Sequence, residues 1–288
     1  MTEALAVLPS FSKLSSRVWR VLGLNPGKFT LQGTNTYLLG TGSRKILIDC
    51  GQGLPEYLPH LQHSLKQTQP DAYISDIIIS HGHADHWGGL QDILSSTLVT
   101  THPIQVHKYP LPKGYTLDHM RNFPPILTLP LTDQQIFKTD DVTLQVIYTP
   151  GHTQDHCTFW LAEEQALFTA DCVLGQGTAV FEDLGAYIRG LQRLIQKNPL
   201  RLYPGHGPLI EPGLPKIQEY IKHRLLRENQ IIELLKQGPK STMEIVRVLY
   251  RDYPESLHLP ASRGILLHLE KLKAEDQVKE EESVWLYK

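Results

Sequence analysis

His81-Gly82-His83-Ala84-Asp85-His86 follows the apolar run Ile77-Ile78-Ile79. Three imidazoles and a carboxylate this close together are poorly suited to a core. They suit a transition metal, because imidazole with carboxylate is a ligand set for zinc, manganese and non-haem iron. The same residue types recur at the ends of other apolar segments. Pro150-Gly151-His152-Thr153 and Pro204-Gly205-His206-Gly207 hold a histidine in a glycine-framed turn, and Phe168-Thr169-Ala170 ends on Asp171. This pattern predicts a two-metal site assembled from strand ends. One ion takes His81, His83, His152 and Asp171. The other takes Asp85, His86 and His206, with Asp171 bridging both. Each keeps an open position for water, as catalytic sites do.

The chemistry expected of such a pair is hydrolysis. A bound divalent ion lowers the pKa of water from 15.7 to about 7, so a hydroxide is available near neutrality. An ester, thioester, amide or phosphodiester is then a possible substrate. Asp85 and Asp49 are the carboxylates expected to serve catalysis, Asp49 by orienting a ligand from the end of a strand over 45–49. Asp155 and His156 are weaker candidates for the same supporting role. His60, His63, His107, His119 and His258 read as surface or loop residues.

The segments around these residues predict an α/β class. Short β-branched or aromatic runs at 18–24, 36–40, 45–49, 76–80, 143–148, 157–161 and 166–170 read as strands. Helical patterns alternate with them at 56–67, 88–95 and 184–197, which argues for strands interleaved with helices. Residues 103–130 are proline-rich with few periodic positions and read as a long surface loop.

After Pro215 the pattern changes. A long amphipathic helix is expected over 216–237, ended by Gly238-Pro239. Ser241 and Glu244 have capping-box spacing and open a second helix through Tyr250. A third helix follows from Pro260 to Lys273, then a solvated turn at 279–283 and a terminal strand at 284–287. The chain thus divides into a catalytic domain over 1–212 and a small winged-helix-like module over 213–288.

Composition excludes little else. The chain has 288 residues, is 41% hydrophobic and 20% charged, and carries a net charge of -2. No apolar run approaches the roughly 20 residues that span a bilayer, so no membrane partner is expected. A polyanion would need a local basic patch. One candidate is 214–273, with 11 Lys/Arg against 7 Asp/Glu. Cys50, Cys157 and Cys172 are too scattered for a disulfide framework and read as buried small residues in a reducing compartment. The first 20 residues show no secretory pattern and match a mitochondrial presequence only feebly.

Together, His81-x-His83-x-Asp85-His86, His152, Asp171 and His206, with Asp49 ahead of them, resemble the metallo-β-lactamase superfamily in order and separation. The resemblance implies an αββα sandwich over about 15–212 with the metals at one edge, zinc being favoured over iron or manganese. The run from Asn25 to Tyr37, Thr149-Pro-Gly-His-Thr-Gln-Asp-His156 and Tyr203-Pro-Gly-His-Gly-Pro208 resemble the β-lactamase-like protein 2 branch. That branch implies two alternatives. One is an endoribonuclease on single-stranded RNA in the mitochondrial matrix, with the cytoplasm as the other compartment. The other is a thioesterase acting on acyl-carrier-protein or CoA thioesters.

Overall fold

The strand-forming segments pair into two sheets, described by a computed structural model covering residues 4–96, 103–115, 120 and 123–288. The first half of the chain contains β1 (Phe11–Lys13), β2 (Val18–Leu22), β3 (Asn35–Leu39), β4 (Arg44–Ile48), α1 (Tyr57–Thr68), β5 (Tyr73–Ile79), α2 (Ala84–Trp87), α3 (Leu90–Ser95), β6 (Gln105–Lys108) and β7 (Leu129–Pro130). Its strands form one sheet in chain order, antiparallel from β1 to β4 and parallel from β4 to β7. The second sheet has the order β12-β11-β10-β9-β8. It uses β8 (Ile136–Lys138), β9 (Thr143–Tyr148), β10 (Cys157–Leu161), β11 (Ala166–Ala170) and β12 (Arg201–Pro204), with α4 (Leu184–Ile195) crossing between the last two.

Alternation along the strands divides the apolar side chains among three layers. Leu39, Ile46, Ile48 and Ile78 meet Leu144, Val146, Phe159 and Phe168 between the two sheets. The opposite face of the first sheet, with Leu38, Leu47 and Ile77, packs on Tyr57, Leu61 and Leu65 of α1 and on Leu90 and Ile93 of α3. The outer face of the second, with Ile147, Leu167 and Leu202, is covered by α4 through Leu184, Ile188 and Leu191. Two sheets with helices outside both form the four layers expected. At about 25 cal/mol per Å2, this apolar burial is the main source of stability.

The C-terminal part comprises α5 (Gly213–Lys236), α6 (Thr242–Leu249), α7 (His258–Ala274), β13 (Val278–Glu281) and β14 (Val284–Tyr287). α6 opens on the capping box of Ser241 and Glu244, with both reciprocal hydrogen bonds made. The helix α5 serves both cores. Ile217 and Tyr220 pack with α4, whereas Ile231 and Leu235 pack with Ile245, Leu269, Val278 and Trp285.

Several expectations are corrected. Residues 103–130 are not simply a loop, because they supply β6 and β7. β6 is short and polar, yet it lies parallel to β5 with three of its four residues buried. His107 is therefore not a surface residue; it contacts Asp76 Oδ1 at 3.0 Å and sets its ring on edge to Phe137. His119 lies outside the described residues. The solvated turn at 279–283 shrinks to Glu282-Ser283, because Val278–Glu281 pairs with Val284–Tyr287. The helix expected at 88–95 is present as α3 from Leu90, and a separate helical turn before it, α2, contains Asp85 and His86. Among the described residues no helix is long and apolar enough to cross a membrane.

Candidate metal centre

The site gathers where five strands end on the same side of the sandwich. β4 delivers Asp49, β5 delivers His81 and His83, β9 leads to His152, β11 to Asp171 and β12 to His206. The turn of α2 carries Asp85 and His86 inward. Two glycines admit the backbone. Gly151 has φ +136°, and a Cβ there would collide with the backbone of Tyr187. A Cβ on Gly205 would strike Asp171 Oδ1. Asp49 and Ala170 both sit at positive φ, 59° and 42°, next to or within the site. Such strain persists only where the surroundings hold it.

The seven predicted side chains converge in two groups. His81, His83, His152 and Asp171 form one, and Asp85, His86 and His206 form the other. Asp171 joins them. Its Oδ2 faces His152 Nε2 at 3.6 Å and His81 Nε2 at 3.9 Å. Its Oδ1 faces His206 Nε2 at 3.3 Å and His86 Nε2 at 3.4 Å. Asp85 Oδ2 stands 3.3 Å from both His86 Nε2 and His206 Nε2.

The tautomers follow from the outer contacts. His86 Nδ1 donates to Asp49 Oδ2 at 2.7 Å, and His152 Nδ1 donates to the carbonyl of Val180 at 2.8 Å. Ser80 gives its N–H and hydroxyl to Asp49 at 2.8 Å each, so its oxygen can accept from His81 Nδ1 at 3.0 Å. With Nδ1 donating outward, each Nε2 presents a lone pair to the centre. His83 instead turns Nδ1 inward, 2.9 Å from the Nε2 atoms of both His81 and His152. One proton cannot satisfy three converging nitrogens, whereas a cation can. Likewise, His86 Nε2 and Asp171 Oδ1 are buried without a hydrogen bond. These residues fit a pair of divalent ions.

The electrostatics lead to the same need for positive charge. Burial opposes charge on Asp171, but His206 and His86 hold its carboxyl well below the usual range. Burial also opposes charge on His86, yet Asp85, Asp171 and Asp49 raise it well above an ordinary histidine.

Sequence reasoning missed a set of polar residues behind the ligands. Thr34 Oγ1 donates to Asp85 Oδ2 at 2.9 Å, while Asn25 Nδ2 donates to Thr34 Oγ1 at 3.0 Å. Asn35 Nδ2 ties down the turn of His206 by reaching the carbonyls of Pro204 and Gly207, both at 2.9 Å. The only signal for these residues was the run from Asn25 to Tyr37, which carries no ligand residue. Asp155, a weaker candidate, is buried and accepts from Thr153 Oγ1 at 2.7 Å and Gly82 N at 3.3 Å. It also pairs with the buried Lys108. His156 lies beneath the ligands, its ring centre 5.3 Å from that of His81.

The sequence model of the metallo-beta-lactamase superfamily matches residues 29–206. The chain belongs to this superfamily. The superfamily's hydrolytic chemistry is metal-dependent, in keeping with the His/Asp cluster. The sequence model of the beta-lactamase associated winged helix domain matches residues 241–285. The beta-lactamase-like protein 2 homolog of Drosophila melanogaster is 41% identical over 96% of this chain and 94% of its own length. That of Caenorhabditis elegans is 43% identical, over 90% and 85%. An atrochrysone carboxyl ACP thioesterase of Aspergillus novofumigatus is 40% identical over 82% of this chain and 68% of its own. A beta-lactamase domain protein from Burkholderia ambifaria shares the fold, with a TM-score of 0.81 at 17% identity, covering 98% of this chain and 95% of that one.

Proposed function

We propose that this member of the metallo-beta-lactamase superfamily is a dinuclear zinc endoribonuclease acting on single-stranded RNA. The observation that carries this reading is the mouth of the site. A cavity of about 470 Å3 has His83, Asp85, His152, Asp171 and His206 in its lining, with Lys28 and Phe29 among its other residues. Phe29 is 74% exposed, far more than a ring kept for packing. The Lys28 ammonium lies 5.6 Å from its centre. An open aromatic face beside a cation is what an unpaired base and its phosphate require.

When bound, the two ions would supply a water of lowered pKa and a Lewis acid for charge on the substrate. The chain's own residues do the rest. Asp49 holds His86 in the tautomer that points Nε2 inward. Thr34 fixes the plane of Asp85 through Oδ2. Asp85 has 20% of its side chain exposed against 12% for Asp171, so it is the carboxylate better placed for proton transfer. His83, His152 and Asp171 line the same cavity and would hold the ions there.

The second reading is a thioesterase on acyl-carrier-protein or CoA thioesters. It is favoured by the apolar side chains Leu31, Leu174 and Val180 in the same cavity and by the thioesterase name of a relative. The compartment we propose is the mitochondrial matrix, with the cytoplasm as alternative. The three buried, unbridged cysteines suit either.

The test is incubation of the purified protein with single-stranded RNA and with acyl thioesters, with and without chelator, alongside Asp85→Ala and His152→Ala. RNA cleavage that chelator and both substitutions abolish supports the nuclease. Thioester turnover with RNA left intact replaces it. Metal analysis of the same protein decides between zinc, iron and manganese.

A further inference from the structure

We propose that the first half of α7 is a phosphate subsite for the RNA strand, with Arg263 as its cation, an inference that rests on the nuclease reading above. A second cavity of about 790 Å3 adjoins the first through Phe29, His83 and His152. Its other residues include Pro260, Arg263, Gly264 and Leu267 of α7. The winged-helix module therefore forms a wall of the cleft that leads to the metal centre.

Three observations make that wall a subsite. Arg263 is exposed, and among the described residues no hydrogen bond or ion pair engages it. Gly264, beside it, has nothing within 4 Å of where a Cβ would stand. A glycine in mid-helix is a poor helix former. Packing does not explain it here, whereas clearance for a strand lying across the helix does.

The third observation is that the wall is held in place. Lys271 pairs with Glu228 of α5 at 2.9 Å, and Leu267 packs against the α4 core. Arg224 of α5 reaches the carbonyl of Ala179 at 2.9 Å and lies 4.8 Å from the Phe181 ring, bracing the facing segment. The carboxylate of Glu182 lines this cavity too and accepts from Tyr115 at 2.6 Å.

RNA repeats its phosphates along the strand. With the scissile group at the metals and a base on Phe29, a neighbouring phosphate meets the Arg263 guanidinium, whose planar fork matches two phosphate oxygens. The rest of the module then acts as a rigid mount for that contact.

The experiment compares wild type, Arg263→Glu and Gly264→Leu in the full-length protein. Two substrates are used: a single-stranded oligoribonucleotide over a range of salt, and bis(p-nitrophenyl) phosphate, which has a single phosphate. Arg263→Glu should raise KM for the RNA about tenfold, with a much smaller effect on kcat, and reduce the salt slope by about one. Gly264→Leu should also raise KM for RNA by filling the cleft. Both should lose far less on the small diester and keep the wild-type metal content. An Arg263→Glu protein that cuts RNA with wild-type KM and salt slope overturns the subsite alone. Equal losses on both substrates overturn it too, because they show a general structural defect. A wild type that hydrolyses an acyl-carrier-protein thioester and leaves RNA intact overturns the nuclease reading and the subsite together.

Discussion

The hydroxyl of Thr34 donates to Asp85 Oδ2 at 2.9 Å across 51 residues of chain. Asn25 Nδ2 already donates to the same hydroxyl oxygen at 3.0 Å, so the Thr34 proton is directed at the carboxylate. The Thr34 N–H in turn donates to Asn25 Oδ1 at 2.8 Å, which sets the amide's orientation. A residue outside the ligand set thus controls the plane of one that belongs to it.

Thr34→Val keeps the side chain's shape in a fully buried position and removes the donated proton. Metal affinity should fall about 10- to 100-fold, the usual effect of losing a partner that orients a ligand. Thr34→Ser should recover most of it. Chelator competition reads the affinity directly, and equal affinities in the Val and Ser variants would show that the hydroxyl does nothing.

Asp49→Asn tests the tautomer of His86. Asparagine tolerates the left-handed backbone at φ 59°, so the turn survives. The charged acceptor facing His86 Nδ1 at 2.7 Å does not. The expected result is metal content below that of the wild type and a kcat loss of at least about tenfold, with an unaltered circular dichroism spectrum. His81→Ala removes a ligand itself and should abolish turnover.

Lys108 and Asp155 are a buried pair behind the His81-His83 loop. Lys108→Met removes the cation from this buried carboxyl and leaves it only the contacts from Thr153 and Gly82, which should destabilise the fold by about 3–5 kcal/mol. Adding Asp155→Leu should restore much of that loss. Urea unfolding of the three proteins measures it, and additive losses in the double variant would show that the pair is not coupled.

Asp76 provides an acid-dependent contribution. Burial works against its charge, but hydrogen bonds from His107, Ser75 and Arg44 hold its carboxyl down at about 2, from 3.8. A depressed folded value adds stability above the unfolded pKa, and that stability is lost as pH falls through the folded one. The contribution is therefore present above about pH 4 and disappears toward pH 2. Its size is on the order of 2 kcal/mol. Asp76→Asn should flatten the stability curve in that window, as urea midpoints at pH 2, 3, 4 and 5 would show.

Much of this organisation was legible along the chain. The strands at 143–148, 157–161 and 166–170 match β9, β10 and β11, because β-branched and aromatic runs ended by turns carry a local signal. The capping box at Ser241 was legible for the same reason. β6 was not. Its sequence, Gln105-Val106-His107-Lys108, is polar, and burial is tolerated only because Asp76 and Asp155 await its side chains. Those partners lie 31 and 47 residues away, and no periodicity reports them.

The sequence by itself determined which chemical groups are available and where the chain turns: five imidazoles and two carboxylates, each following an apolar run, and a separate helical module after them. Spacing and residue type suffice for that, because hydrophobic period and turn chemistry act between near neighbours. Only the tertiary structure decided which atoms face one another. It turned Nε2 of His86 inward, aimed Oδ1 of Asp171 at one group and Oδ2 at the other, brought Thr34 to Asp85 and swung α7 to the mouth of the site. Those relationships arise from packing between segments distant in the chain, where each hydrogen bond is selected by the geometry of the whole sandwich.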